Sequence, residues 1–164
     1  LIDFDPQGNA TSGLGVDKTD PKALGITMTE VILGSAGLAT VARPTKYKNF
    51  DLAPTAPELA NAEVELANMQ HKFTRLRDAI SAIASNYDYV IIDSPPSLSL
   101  LTVNGMIASN YLLLPVQTEF YALEGVAQLL VFAPRFRFDR NGDDGRGEVD
   151  HPRCPFDRPG REVG

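Results

Sequence analysis

Two aspartates, Asp3 and Asp5, follow an apolar start and precede a proline and a glycine-rich turn. Side chains alternate between the faces of a strand, so Asp3 and Asp5 should share one face while Ile2 and Phe4 share the other. Pro6 cannot continue a central strand and should end it. Two like charges repel unless a positive group lies near them, and Mg²⁺ prefers carboxylate and water oxygens. The pair therefore predicts a metal and phosphate site, with an ordinary strand-to-turn junction as the alternative.

A third carboxylate, Asp93, ends the short apolar run Tyr89–Ile92. The run is aromatic and β-branched, which predicts a strand buried on both faces. Ligands of open α/β sheets bind beyond the carboxyl ends of the strands, so Asp93 is placed to hold Mg²⁺, often through water. The other interpretation is that Asp93 caps a helix that begins near Leu98. Pro95 and Pro96 follow and predict a stiff turn that lacks two amide donors.

The segments between these aspartates predict alternating helices and strands. A helix is predicted over Thr27–Leu33, with Thr27 or Thr29 as its N-cap, and a short strand over Phe50–Pro54. Residues 58–85 predict a helix with a possible break in its middle. Its core stripe consists of Leu66, Met69, Phe73, Leu76, Ile80 and Ile83. This order fits the α/β class, with a parallel sheet and right-handed crossovers.

A last strand and helix are predicted from residue 111 to residue 125. The apolar run Tyr111–Gln117 contains Pro115, and Thr118–Gly125 leads into a helix. Glu119 and Glu124 are interpreted as solvated side chains. No catalytic residue is assigned to this block.

Composition sets limits on the function. The chain has 164 residues and a net charge of −6, all of it in residues 1–130, so the overall charge gives no reason to bind nucleic acid. Lys72, Arg75 and Arg77 predict a solvated helix face rather than a basic patch. The single Cys154 excludes a disulfide framework. No run of eighteen apolar residues and no signal-peptide pattern occurs, which predicts a cytoplasmic location without a membrane.

Residues 131–164 differ in composition from the rest of the chain. They contain seven Arg, five Asp and two Glu but no Lys, and they show no apolar periodicity. Their charges balance, so they offer no net basic field. The segment is predicted to be an unrelated or frame-shifted tail that is disordered by composition, with a disordered arm that binds nucleic acid as the alternative.

The segment Ile2–Gly15 reads IDFDPQGNATSGLG and resembles a segment of the ParA/Soj family of partition ATPases, which carry a deviant Walker A motif. Residues 93–97 (DSPPS) and 115–125 (PVQTEFYALEG) resemble two further segments of that family. The resemblance covers residues 1–130. It implies a partial domain with a P-loop NTPase-like parallel sheet and helices on both faces, incomplete in this chain.

The resemblance also implies roles for individual residues. Asp5 would orient or activate the attacking water, and Asp3 and Asp93 would organise Mg²⁺. Pro95 and Pro96 would belong to the second switch region, which responds to the γ-phosphate. The family hydrolyses ATP as a homodimer, binds DNA without sequence specificity and is stimulated by a ParB-like centromere-binding protein. A nucleoid-associated, cytoplasmic protein is therefore expected.

The family's phosphate-binding loop, KGGxGKT, lies upstream of the segment with which this sequence begins, and nothing in residues 1–130 replaces it. No nucleotide-binding residue is assigned, and the chain is predicted to be an internal fragment that is inactive alone. Two alternatives stay open. One is a MinD-like positioning ATPase for another cargo, and the other is a non-catalytic remnant that serves as an interaction module.

Overall fold

The computed structural model describes residues 1–113. Its four short strands are β1 (Ile2–Asp3), β2 (Arg43–Pro44), β3 (Asp51–Leu52) and β4 (Ile92–Asp93). Its helices are α1 (Asn9–Gly13), α2 (Pro21–Leu24), α3 (Met28–Leu33), α4 (Leu38–Val41), α5 (Leu59–Leu66), α6 (Arg75–Ser81) and α7 (Leu100–Ala108), with a 3₁₀ turn at Ala84–Asn86. The segment Thr118–Gly125, the helix into which it is expected to lead and the tail from residue 131 lie outside the described residues.

Strand β1 lies between two parallel neighbours. It pairs with β4 in the register Ile2↔Ile92 and Asp3↔Asp93, and the amide of Phe4 donates to the carbonyl of Asp93 at 2.8 Å. On its other side, the amide of Asp3 donates to the carbonyl of Ala53 at 3.0 Å. The predicted α/β class with a parallel sheet is confirmed. The strand ends before Pro6, as the sequence predicts.

One pairing was not predicted from the sequence. Strands β2 and β3 form an antiparallel hairpin in the register Arg43↔Leu52, and β3 coincides with the strand expected near Phe50–Pro54. The Arg43 guanidinium donates to the carbonyls of Ala23 and Leu24 at 2.9 and 2.8 Å. These bonds satisfy carbonyls at the end of α2 and tie the hairpin to that helix.

The core forms where the helices meet the apolar side chains of β1. Ile2 and Phe4 are buried in it, together with Met28, Val31, Ile32, Leu38, Val41, Ala53, Leu59, Ala62, Leu66, Leu76, Ile83 and Leu101. Helix α3 contributes because its start is well capped. Thr27 accepts from the amide of Thr29, and Glu30 accepts from the amide of Thr27 at 2.8 Å, which completes a capping box. The prediction of Thr27 as N-cap is confirmed.

The long helix expected over residues 58–85 is broken into α5 and α6. The break contains His71, whose φ of 56° is left-handed and cannot continue an α-helix. Because the break changes the helical phase, the apolar stripe is only partly correct. Leu66, Leu76 and Ile83 are buried, but Phe73 is exposed, so its assignment to the core was wrong.

The run before Asp93 is not buried on both faces. Val90 and Ile92 pack against the core, whereas Tyr89 and Ile91 are 65% and 58% exposed. The prediction was wrong because alternate side chains of the strand face opposite sides, and the described helices cover only one of them. Within the described part of the segment Tyr111–Gln117, residues 111–113 form no strand and are exposed.

Candidate active site

Asp3 and Asp93 are direct neighbours at the carboxyl ends of two parallel strands. Adjacent strands lie about 4.8 Å apart, and residues in register on parallel strands share a face. Asp5 follows in the turn after β1, and its charge acts on Asp93 together with that of Asp3. The structure therefore brings together the three aspartates that the sequence selected.

Asp3 is completely buried, and protein donors surround its carboxylate. The amide and the hydroxyl of Thr11 both donate to its Oδ2, each at 2.6 Å. The amide of Asp5 donates to Oδ1 at 3.3 Å. Thr11 also accepts from the amide of Thr55 at 3.1 Å. A buried charge needs such partners, and here they join β1, α1 and the segment after β3.

Neither Thr11 nor Thr55 is predicted as a site residue from the sequence. Thr11 lies eight residues from Asp3 within a polar turn, where many hydroxyls are solvated. The only available signal was its position inside the matched segment. Thr55 joins it from forty-four residues away, a contact that no local pattern reports.

Asp5 lies in a tight, partly exposed turn. Its Oδ1 accepts from the amide of Gln7 at 3.0 Å, and its carbonyl accepts from the amide of Gly8 at 2.9 Å. Gly8 adopts φ 63° and precedes α1. A Cβ there would lie 3.2 Å from the Lys18 Cδ and the Thr55 Cγ2, so both conformation and space favour glycine. The turn fixes the direction of the Asp5 carboxylate.

A cation that the sequence analysis did not single out lies over this turn. The Lys18 ammonium group donates to the carbonyl of Gln7, and its side chain lies against Gly8. It places a positive charge close to the acidic edge of the sheet, the edge that carries Asp3, Asp5 and Asp93.

The pKa of Asp93 is raised above its ordinary value. Partial burial is the main cause, and the negative charges of Asp3 and Asp5 add to it. The alternative in which Asp93 caps a helix is not supported, because Ser99 occupies the N-cap of α7 and accepts from the amide of Thr102. The environment of Asp93 therefore favours binding either a proton or a cation.

The turn after Asp93 joins β4 to α7. Pro95 is buried and Pro96 is exposed. The Thr102 hydroxyl contacts the carbonyls of Pro95 and Ser97, at 3.3 and 2.5 Å. Through Thr102, the first turn of α7 thereby fixes the backbone of the two-proline turn.

The donor set fits a magnesium ion held through few protein oxygens. Among residues 1–113, no three His, Cys, Asp or Glu side chains are grouped so that they could hold a metal together. The Asp3 oxygens are already hydrogen-bonded, which leaves Asp93 as the principal candidate ligand. Mg²⁺ commonly keeps several waters and uses one or two carboxylates together with substrate phosphates. Asp93, with Asp3 as its neighbour on β1, matches a site that holds Mg²⁺ through one or two carboxylates.

The cations on and before α6 do not form a patch. Lys72 donates to the carbonyl of Ala67 at 3.0 Å, Arg75 donates to the carbonyl of Ile32, and Arg77 pairs with Asp78 at 3.3 Å. Lys72 and Arg77 are used locally, as the interpretation of a solvated face expects, whereas the partly buried Arg75 ties α6 to the end of α3. In the described part of the chain, no helix is long and apolar enough to cross a membrane.

Parallel strands that end in a group of carboxylates, with helices packed against them, define an α/β protein. The model of a family described as an AAA domain matches residues 1–142, and the chain belongs to this family.

Within the family, the resemblance to ParA and Soj proteins is confirmed. The chain is 45% identical over 130 residues to the sporulation initiation inhibitor protein Soj of Bacillus subtilis, which covers 79% of this chain and 50% of that protein. It is 45% identical over 129 residues to the chromosome partitioning protein ParA of Myxococcus xanthus, covering 79% of this chain and 44% of ParA.

A solved structure also matches in fold. The cobyrinic acid a,c-diamide synthase of Mycobacterium smegmatis, crystallised with an ATP analogue and magnesium, superposes with a TM-score of 0.75 and 36% identity. The match covers 82% of this chain and 54% of that one. The chain thus spans about half the length of these relatives.

We expect Thr11→Val to destabilise the fold by about 2–4 kcal/mol, because it removes the hydroxyl bond to the buried Asp3 carboxylate and leaves the Thr55 amide without its acceptor, although the Thr11 and Asp5 amides still donate to Asp3. Urea unfolding measures this change. Thr11→Ser is the matched control, since it keeps the hydroxyl and loses only a methyl group, at a cost of about 1 kcal/mol. Equal losses in the two variants would contradict the assigned role of the hydroxyl.

The raised pKa of Asp93 predicts a pH-dependent stability. The folded state binds this proton more tightly than the unfolded state, so stability falls as pH rises through the window that begins at the ordinary value of 3.8. Asp93→Asn should remove that fall and gain stability relative to wild type between pH 3 and pH 7. Urea unfolding across this range measures it, with Asp88→Asn as an exposed control. A constant difference between wild type and Asp93→Asn would refute the prediction.

Proposed function

We propose that this chain is part of an ATPase that segregates DNA, in which it supplies the carboxylate side of a magnesium–ATP site. The proposal is supported by 45% identity to proteins named Soj and ParA and by structural similarity to an enzyme crystallised with an ATP analogue and magnesium. The observation that carries it is the convergence of Asp3, Asp5 and Asp93 at the carboxyl ends of β1 and β4.

Each aspartate takes a role that suits its surroundings. Asp93 would hold the metal, because partial burial and the charges of Asp3 and Asp5 disfavour its ionised form, which a cation would stabilise. Asp3 would help Asp93 to organise the ion, and its orientation is fixed by the bonds from Thr11. Asp5 would orient the attacking water, since its carboxylate lies in a partly exposed turn and is directed by Gln7. When bound, Mg²⁺ neutralises charge on the transferred phosphoryl group.

The turn with Pro95 and Pro96 would serve as the region that responds to the nucleotide. It connects the proposed metal ligand Asp93 directly to α7. A turn in this position can report on the phosphates because it shares a chain segment with the group that holds the metal.

We further propose the partners expected of a partition ATPase. These are a second copy of the protein, DNA bound without sequence specificity, and a ParB-like centromere-binding protein, in a cytoplasmic setting on the nucleoid. The names of the relatives favour chromosome partitioning over a MinD-like role. A non-catalytic interaction module remains the second candidate, because residues 1–130 contain no KGGxGKT loop.

Metal binding can be tested on the 164-residue chain with Mn²⁺ as a paramagnetic substitute. We expect Mn²⁺ to broaden the NMR signals of the amides near Asp5 and Asp93 first. Asp93→Asn should weaken this binding at least tenfold, because it removes the principal charged ligand. Asp88→Asn, an exposed aspartate before β4, is the charge-matched control. Broadening that is equally strong in Asp93→Asn would overturn the assignment.

Hydrolysis by this polypeptide alone is a separate prediction. Without backbone amides and a lysine to hold the phosphates, we expect no magnesium-dependent phosphate release above background. A coupled phosphate assay with saturating ATP measures the release, and Asp5→Ala provides the background. Turnover that depends on both Mg²⁺ and Asp5 would show that these residues suffice and would refute the prediction.

A further inference from the structure

A carboxylate from α5 caps the helix that follows the two-proline turn. Glu63 Oε1 accepts from the amide of Leu100 at 2.6 Å and from that of Leu101 at 3.3 Å. These amides belong to the first turn of α7, where no backbone acceptor is available within the helix. A short bond to a charged acceptor is strong, and negative charge also suits this end of the helix dipole. Glu63 thus fixes the start of α7 from another element.

The start of α7 in turn determines the path of the turn. The Thr102 hydroxyl contacts the carbonyls of Pro95 and Ser97. One helical turn further, a Cβ at Gly105 would lie 2.7 Å from the Ser94 Oγ, so the helix passes close to the residue after Asp93. The turn and α7 therefore form one packed unit.

Glu63 differs from Glu65, the other acidic residue of its helix. It is partly buried between α5 and α7, whereas Glu65 on the same helix is exposed. Helix α5 is itself held in the core by Leu59 and Leu66, both completely buried. The cap therefore connects α7 to a fixed part of the fold.

We propose that Glu63 is a positioning residue for the candidate active site. By holding the first turn of α7, it fixes the turn at residues 94–97 and thereby the direction in which Asp93 presents its carboxylate. Movement of the turn away from this position requires that the two bonds to Glu63 break or that α5 moves as well. The inference rests on the proposed metal role of Asp93, although the effect on the turn can be measured without a metal.

The test compares Glu63→Ala, Glu63→Gln and the control Glu65→Ala in the 164-residue chain by NMR. In Glu63→Ala we expect amide exchange at Leu100 and Leu101 to accelerate about tenfold or more, as for loss of a charged hydrogen bond. Backbone order parameters at Ser94 and Ser97 should fall. Glu63→Gln keeps an oxygen in place. In this variant we expect the exchange rates and the order parameters to return most of the way to their wild-type values. Glu65→Ala should match wild type.

Affinity for Mn²⁺ separates the two roles that Glu63 could have. If Glu63 only stabilised the start of α7, its substitution would leave this affinity unchanged. We expect several-fold weaker binding in Glu63→Ala, recovery in Glu63→Gln, and no change in Glu65→Ala. Faster exchange at Leu100 and Leu101 with unchanged order at Ser94 and Ser97 and unchanged Mn²⁺ affinity would overturn the proposal.

Two further outcomes, the absence of Mn²⁺ binding and the failure of a variant to fold, can be told apart from failure of the role proposed for Glu63. If wild type binds no Mn²⁺, the proposed metal site fails, while the order parameters of Ser94 and Ser97 still decide whether Glu63 holds the turn. If Glu63→Ala does not fold, Glu63→Asp replaces it, because it keeps the charge and withdraws the oxygen by one methylene. Wild-type order at Ser94 and Ser97 in Glu63→Asp would then refute the role of Glu63.

Discussion

The double hydrogen bond from Thr11 to the buried carboxylate of Asp3 is the interaction on which the site depends. An ionised side chain without access to water is tolerated only when donors replace its hydration. Both Thr11 donors lie at 2.6 Å, and the same hydroxyl receives the amide of Thr55. One threonine thus joins the central strand, the first helix and the segment after the hairpin. The position of the next turn, with Asp5, follows from this junction.

The three carboxylates illustrate how burial assigns different properties to the same chemical group. Asp3 has its donors built in and serves as a fixed charge inside the protein. Asp93 lies beside it with the charges of Asp3 and Asp5 nearby, and its pKa rises in response. Asp5 occupies a turn under Lys18, whose ammonium group contacts the carbonyl of Gln7. A carboxylate whose pKa is raised by burial and by neighbouring like charges is typical of functional sites.

Local patterns in the sequence predicted much of the fold and the meeting of the aspartates. Alternation places Ile2 and Phe4 in the core, Pro6 ends the strand, and Thr27 begins a helix, because each effect acts within a few residues. The bond between Glu63 and Leu100, the Thr11–Thr55 contact and the β2–β3 hairpin join distant residues, and no periodicity encodes them. The exposure of Tyr89 and Ile91 was missed for a related reason. An apolar run reveals that a strand forms, but not how many of its faces are covered.

The register between β1 and β4 has a consequence for the order in which the protein assembles. Asp3 and Asp93 are in register although they lie 90 residues apart in the chain, whereas Asp3 and Thr11 are separated by only eight. Closing a long loop costs more chain entropy than closing a short one, and contacts between distant residues slow folding. During synthesis, the Asp3–Thr11 turn is complete long before Asp93 leaves the ribosome. Of these two contacts, the one between Asp3 and Asp93 is therefore expected to form later, so that the repulsion between the two carboxylates arises only when the Asp3–Thr11 turn is already in place.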